Sequence, residues 1–272
     1  MTGFVCPLCE CEGEVSREHV LPEGLDDIFV VGGPFTTEVN GEPLLRRDGA
    51  VRRTNVTRYL LDVCEDCNGW LDKHFEKPGQ GAVRAVFTGE TIEAEEVDAF
   101  ARWVIKTVLL LLHPNTRRLS DGYEAVIRAR PPWAADFARR LRDTGDIPEE
   151  ISVWTHTSSE TAPVRDIPPL DINLQRGTAL GVSFGERETG NGHLLELGIP
   201  TSNGRRLGFH IVFHDVRGLA NPWEALGYSV QLWPTPPQVL DPNSMTDLDP
   251  NSVSYLRDWA HGRALGPPEM ND

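Results

Sequence analysis

Beyond residue 67 the sequence has no cysteine: its five cysteines, in a chain of 272 residues, stand at Cys6, Cys9, Cys11, Cys64 and Cys67. An extracellular disulfide framework spreads its bridges along the chain. Confinement to the first quarter reads instead as a local metal site in a reducing compartment, and the expectation is a cytoplasmic protein. A basic surplus is lacking too, since 26 Lys+Arg face 41 Asp+Glu for a formal net charge of -15. Proteins that coat nucleic acid neutralise phosphates with excess Lys and Arg, so that class is disfavoured. The start has no basic segment followed by an apolar one, which argues against a signal peptide. The most apolar run, residues 103–112, is interrupted by Lys106 and is about half the ~20 residues a bilayer span needs. It reads as a buried helix. Gly-x-Ser-x-Gly, P-loop and helix-opening GxGxxG patterns are all missing, leaving serine hydrolases, NTPases and dinucleotide enzymes without support.

What is present is a globular composition, 39% hydrophobic and 25% charged, with length enough for one large or two modest domains. Three regions are expected, forming an α+β protein. Residues 1–78 are Cys-rich and end at Lys77-Pro78-Gly79. Residues 79–150 open with a short strand over 82–87 and continue with a helix led by the acidic stretch 90–96. That helix runs to about 113, with Val97, Phe100, Ala101, Val104, Val108 and Leu111 at helical spacing, and makes the central core element. Residues 119–143 read as helical, broken at Pro131-Pro132, with an amphipathic stretch from Trp133 to Leu141. Residues 151–272 change to short alternating segments at 151–155, 179–184, 194–199, 207–213 and 228–233, which predict an antiparallel sheet. Leu-Asp-Pro-Asn-Ser occurs at 240–244 and again at 248–252; the second copy is expected to start a terminal helix reaching about residue 265.

The strongest chemical signal is a pair of knuckles, Cys6-Pro-Leu-Cys9 and Cys64-Glu-Asp-Cys67, with 54 residues between them. Each tight turn presents two thiolates, and two such turns complete a tetrahedral zinc site with no open position. A thioredoxin-like redox role needs one CxxC on a βαβ unit, which this segment lacks. Cys11 is the odd thiol, either a bystander or a replacement for Cys9. Nine residues after Cys9 stands Glu18-His19-Val20-Leu21-Pro22, and directly after Cys67 comes Asn68, ahead of a helix over 69–76. A zinc joining the knuckles brings carboxylate, imidazole and amide into one small volume.

This order of motifs resembles the zinc-stapled subgroup of the HNH endonucleases, whose ββα-metal core cuts nucleic acid. Phe75-Glu76-Lys77-Pro78 and a helical Trp103-Val104-Ile105-Lys106-Thr107 extend the similarity to a broader group of bacterial HNH-like proteins, which end in a β-rich region with an aromatic-Pro dipeptide; Trp233-Pro234 fits. The resemblance implies an N-terminal zinc-bound ββα-metal module, a helical core and a C-terminal antiparallel sheet. It further implies catalysis by His19, Glu18 and Asn68, with His19 as the base that activates water. Glu18 and Asn68, with Asp72 one helical turn on as a further ligand, would hold Mg²⁺ or Mn²⁺. In a regular strand Glu18 and His19 point to opposite faces, so the motif requires a bend at the strand end. The middle Asn of the related enzymes is absent: Tyr59 occupies its place, and the nearest Asn is Asn55. Glu76 matches a helix-end Glu that either caps or forms an internal ion pair.

Residues 46–58 carry five Arg, at Arg46, Arg47, Arg52, Arg53 and Arg58, against one Asp. They are either a solvated loop or a phosphate-contacting segment beside the cleft. Lys106 either snorkels to the surface or meets a buried carboxylate, and the first is slightly favoured. The expected function is a metal-dependent endonuclease acting on DNA, or on RNA, in defence against foreign DNA. Region 151–272 would contact a protein partner or a second copy. The alternative is a non-catalytic zinc-bound nucleic-acid-binding or adaptor protein.

Overall fold

The computed structural model describes residues 3–21, 35–39, 42–43, 53–54, 59–118, 133–159, 173–175, 181–186, 192–200, 205–214, 222–225 and 227–248. In chain order the first half contains strands β1 (Val15–His19), β2 (Phe35–Val39), β3 (Glu42–Pro43), β4 (Arg53–Thr54) and β5 (Tyr59–Cys64), then helix α1 (Glu65–Leu71), a π-helical turn (Asp72–Glu76) and helix α2 (Lys77–Thr88). Strand β6 (Ile92–Glu93), helix α3 (Ala94–Leu112), strand β7 (Arg117–Arg118) and helix α4 (Trp133–Thr144) follow. The remainder is β-rich: β8 (Ile151–Ser159), β9 (Asn173–Gln175), β10 (Gly181–Glu186), β11 (Gly192–Pro200), β12 (Arg205–His214), β13 (Ser229–Trp233) and β14 (Val239–Leu240). The expected terminal helix and the part of 119–143 before Trp133 lie outside the described residues.

Strands β1 and β5 pair antiparallel from Val15↔Cys64 to His19↔Leu60, and β7 takes the other edge of β5. Helix α1 follows β5 at once. Cys64 is its N-cap, its sulfur accepting from Cys67 N, and Glu65 and Asp66 fill the first turn, where the helix dipole favours carboxylates. The helix therefore begins ahead of Asn68, not after it.

Pro78 does not end the helical run. Lys77 N donates to Asp72 O, five residues back, closing the widened turn, and α2 continues with Pro78 directly after that turn. The strand expected over 82–87 is thus a helix. Its buried side chains, Ala82, Val83, Val86 and Phe87, repeat at helical rather than alternate spacing, an ambiguity inherent in short apolar runs. Gly89, at φ 82°, closes the helix by donating to Ala85 O and Val86 O. Gly79 faces α3 so closely that a Cβ there would lie 2.9 Å from Trp103 Cβ.

A capping box, Glu93 with Glu96, starts α3, and from Trp103 to Leu112 every side chain is buried. Helix α4 packs on α3 and buries Ala134, Ala138 and Leu141, spaced for one helical face. On another side lies the five-stranded sheet, in the order β10-β11-β12-β8-β13 and antiparallel throughout. Phe100 of α3 meets Phe209 of β12 at 5.7 Å between ring centroids. All five predicted strands of the C-terminal region are there, and the α+β class holds. One buried cluster takes in residues of all three expected regions, from Cys6 to Met245. The boundary drawn at residue 78 falls inside a continuous helix.

Candidate metal centre and its neighbours

The Sγ atoms of Cys6, Cys9, Cys64 and Cys67 lie within 4.8 Å of one another, and those of Cys9 and Cys64 are 3.6 Å apart. Tetrahedral zinc with bonds of about 2.3 Å sets its sulfurs about 3.8 Å apart, so the group fits a zinc-type ion. Three of the four residues are buried and Cys9 is half-buried. Cys11 is exposed, with Sγ directed at Cys9 O over 3.4 Å, and stands outside the cluster. The ligand set is therefore the four cysteines of the two CxxC pairs.

Local backbone geometry aims donors at these sulfurs. Cys64 N donates to Cys6 Sγ over 3.3 Å and Cys67 N to Cys64 Sγ over 3.4 Å. Burial opposes ionisation of Cys6, but the N–H groups of Cys64, Leu8 and Cys9 bring its thiol down to about 7. Burial pushes the thiols of Cys64 and Cys67 up. A cation able to take all four as thiolates supplies the charge that burial withholds. The first knuckle is closed by Cys6 N to Cys11 O at 3.0 Å and Glu10 N to Cys6 O at 2.9 Å, with Glu10 left-handed at φ 59°.

Between α1 and β1, Asn68 Nδ2 donates to Ser16 Oγ over 2.9 Å. Ser16 and Glu18, two residues apart, share one strand face. Asn68 is thereby brought to the Glu18 side of β1. His19 closes β1 half-buried and still in register with Leu60, so Glu18 and His19 face opposite ways and the strand is regular through both.

Glu18 is buried at 6% exposure, and its Oε1 accepts from Lys106 Nζ over 3.3 Å. Lys106 also donates to Val20 O over 3.4 Å and to Glu76 Oε1, while Glu76 Oε2 accepts from Trp103 Nε1 over 3.3 Å. The snorkelling preferred for Lys106 is corrected: the side chain is fully buried because two carboxylates and a carbonyl receive its ammonium. Glu76 is in an internal ion pair. Burial raises the Glu18 carboxyl above its ordinary range, Lys106 opposes this, and the charges of Glu76 and Asp72 add to it. Asp72 is half-exposed and paired with Lys77 at 2.6 Å.

Four residues of the resemblance, Glu18, Glu76, Trp103 and Lys106, thus meet in one buried network. Among the described residues, the four cysteines are the one group of three or more His, Cys, Asp or Glu placed to hold an ion. Arg46, Arg47, Arg52 and Arg58 lie outside the described residues, as do Pro22 and Asn55; Arg53 begins β4, which pairs with β2. Ser16 was not anticipated, nor was Arg142, whose partners are far away in sequence. No described helix is long and apolar enough to cross a membrane.

Comparison with protein-family models, curated proteins and solved structures returns no match.

Proposed function

We propose that the chain is a metal-dependent endonuclease of the HNH type, hydrolysing phosphodiester bonds of DNA in the cytoplasm, with zinc as a structural staple. The observation that carries this reading is the four-sulfur cluster. It ties the first knuckle to the junction of β5 and α1, and Asn68 of α1 stands against the strand face that bears Glu18. The antiparallel pair of β1 and β5 followed directly by α1 is compatible with the ββα order that the reading requires.

Glu18, Asn68 and Asp72 would supply oxygen donors suited to a hard ion. Asn68 uses its amide N–H₂ on Ser16, which turns its carbonyl oxygen elsewhere, and the charge of Asp72 is felt at Glu18. These residues would hold Mg²⁺ or Mn²⁺, which supplies charge stabilisation at the phosphate. His19 would accept the proton of the attacking water on an imidazole nitrogen. Because His19 and Glu18 face opposite ways, the substrate must reach around the end of β1. Region 151–272 would serve substrate choice or contact a partner, and defence against foreign DNA is the setting that suits such an enzyme.

A second reading, a non-catalytic zinc-bound nucleic-acid-binding or adaptor protein, is favoured by one observation. Glu18 is committed to Lys106, Asn68 to Ser16 and Asp72 to Lys77. Supercoiled DNA, single-stranded DNA and RNA incubated with the zinc-loaded protein and Mg²⁺ or Mn²⁺ separate the two. Cleavage lost in His19→Ala is the expected result. Cleavage undiminished in that variant, or absent with every substrate, overturns the catalytic reading.

A further inference from the structure

The zinc cluster has a neighbour from a distant element. Arg142, on α4, places Nε 3.3 Å from Cys67 Sγ, although 75 residues separate the two. Its guanidinium carbon lies 4.9 Å from the ring centroid of Trp70, three residues after Cys67 on α1. Trp70 in turn is held at 5.3 Å, edge-on, against Phe75. The arginine is thus fixed by two unrelated contacts, one to the sulfur and one to an aromatic face, and its planar head suits both. A second arginine seats the same helix: Arg102 of α3 lies 5.7 Å from the Phe75 centroid and donates to Gly145 O, just past the end of α4, over 2.8 Å.

We propose that Arg142 is a charged side-chain donor to the zinc cluster, beside the backbone donors Cys64 N and Cys67 N, and that it couples retention of the metal to the seating of α4. Zinc bound by four thiolates carries two net negative charges, and nothing in the tetrahedral shell offsets them. A guanidinium N–H directed at one sulfur removes part of that charge through a charge-assisted hydrogen bond. Of the four ligands, Cys67 receives this donor in addition to being fully buried. Its thiolate is accordingly the least available to protons and electrophiles, and the metal leaves last from that sulfur. The coupling is reciprocal: a loaded cluster presents Arg142 with an anionic acceptor, whereas a neutral thiol is a weak one.

The inference needs the zinc but not the nuclease reading, and its test does not measure cleavage. Full-length zinc-loaded protein is mixed with excess chromogenic chelator, and the rate of zinc transfer is followed. Arg142→Met keeps an apolar stem against Trp70 and removes the donor; zinc loss about 10- to 100-fold faster is expected, the usual effect of deleting an outer-shell partner. Arg142→Lys, which retains charge without the planar head, should fall between. Leu141→Ala leaves the guanidinium in place and loosens the buried face of α4, so it should speed zinc transfer by less than Arg142→Met does. Alkylation of the loaded protein, mapped by mass spectrometry, should label Cys67 last in the wild type and earlier in Arg142→Met. Equal zinc-transfer rates in wild type and Arg142→Met overturn the proposal. So does a Leu141→Ala rate matching that of Arg142→Met, since packing alone would then account for the effect.

Discussion

Lys106 Nζ and Glu18 Oε1 stand 3.3 Å apart in the interior, joining the middle of α3 to the end of β1 across 88 residues of sequence. Removing one member of a buried ion pair leaves the other charge uncompensated, at about 3–5 kcal/mol. Lys106→Met should therefore destabilise the protein by that amount. Adding Glu18→Gln should restore part of the loss, because the stranded carboxylate is gone. Denaturant unfolding of the wild type, both single variants and the double variant measures the coupling; strictly additive effects would show that the pair does not act as one.

The same carboxylate sets a pH dependence. Glu18 has its folded-state pKa raised, by burial above all, against the opposing pull of Lys106. The folded protein therefore holds the proton at a pH where the unfolded chain, titrating at about 4.3, has released it. The contribution of Glu18 to stability is fully present below about pH 4.3 and is lost as pH rises through the raised pKa. Glu18→Gln does not titrate, so its Tm relative to wild type should climb as pH rises from about 4.3 through the raised pKa of Glu18. A relative Tm that falls over this range contradicts the assignment.

Zinc content distinguishes the five cysteines. About one zinc per chain is expected by elemental analysis, and Cys11→Ser should keep it with stability within about 0.5 kcal/mol of wild type. Cys9→Ser should lose stoichiometric zinc and lower Tm by roughly 10 °C or more, because metal binding free energy is folding free energy in such sites. Retention of zinc in Cys9→Ser together with loss in Cys11→Ser would exchange the two assignments.

Glu10 occupies a left-handed backbone position at φ 59° and ion-pairs with Arg139 at the surface. Replacement by Gly and by Ala removes the ion pair equally, so the difference between the two isolates the backbone. Glu10→Gly should be more stable than Glu10→Ala by about 1 kcal/mol, the cost of placing a Cβ in that conformation. Equal thermal stability of the two would mean that the turn relaxes.

The knuckles were legible because CxxC chemistry is local: each turn carries its own donors and its own sulfurs. Helix α3 was legible from the spacing of Val97, Phe100, Val104, Val108 and Leu111, and the five C-terminal strands from alternation between turn residues. Helix α2 was not, because Pro78 and Gly79 read as punctuation. Yet Pro78 comes directly after the widened turn, and Gly79 is small because Trp103 presses on it. The fate of Lys106 could not be read from its own helix, since Glu18 and Glu76 reach it from elsewhere. Arg142 was hidden for the same reason, and Ser16 carries no motif of its own.

The helical run that passes from the four-cysteine cluster through the π-helical turn into α2 bears on transplanting the motif-bearing segment. A fragment cut at residue 78 would end inside a helix, with Glu18 and Glu76 deprived of Lys106 and Cys67 deprived of Arg142. The first 78 residues are thus an organ of the whole body, not a cassette, and grafting them onto another scaffold must carry α2, α3 and α4 along.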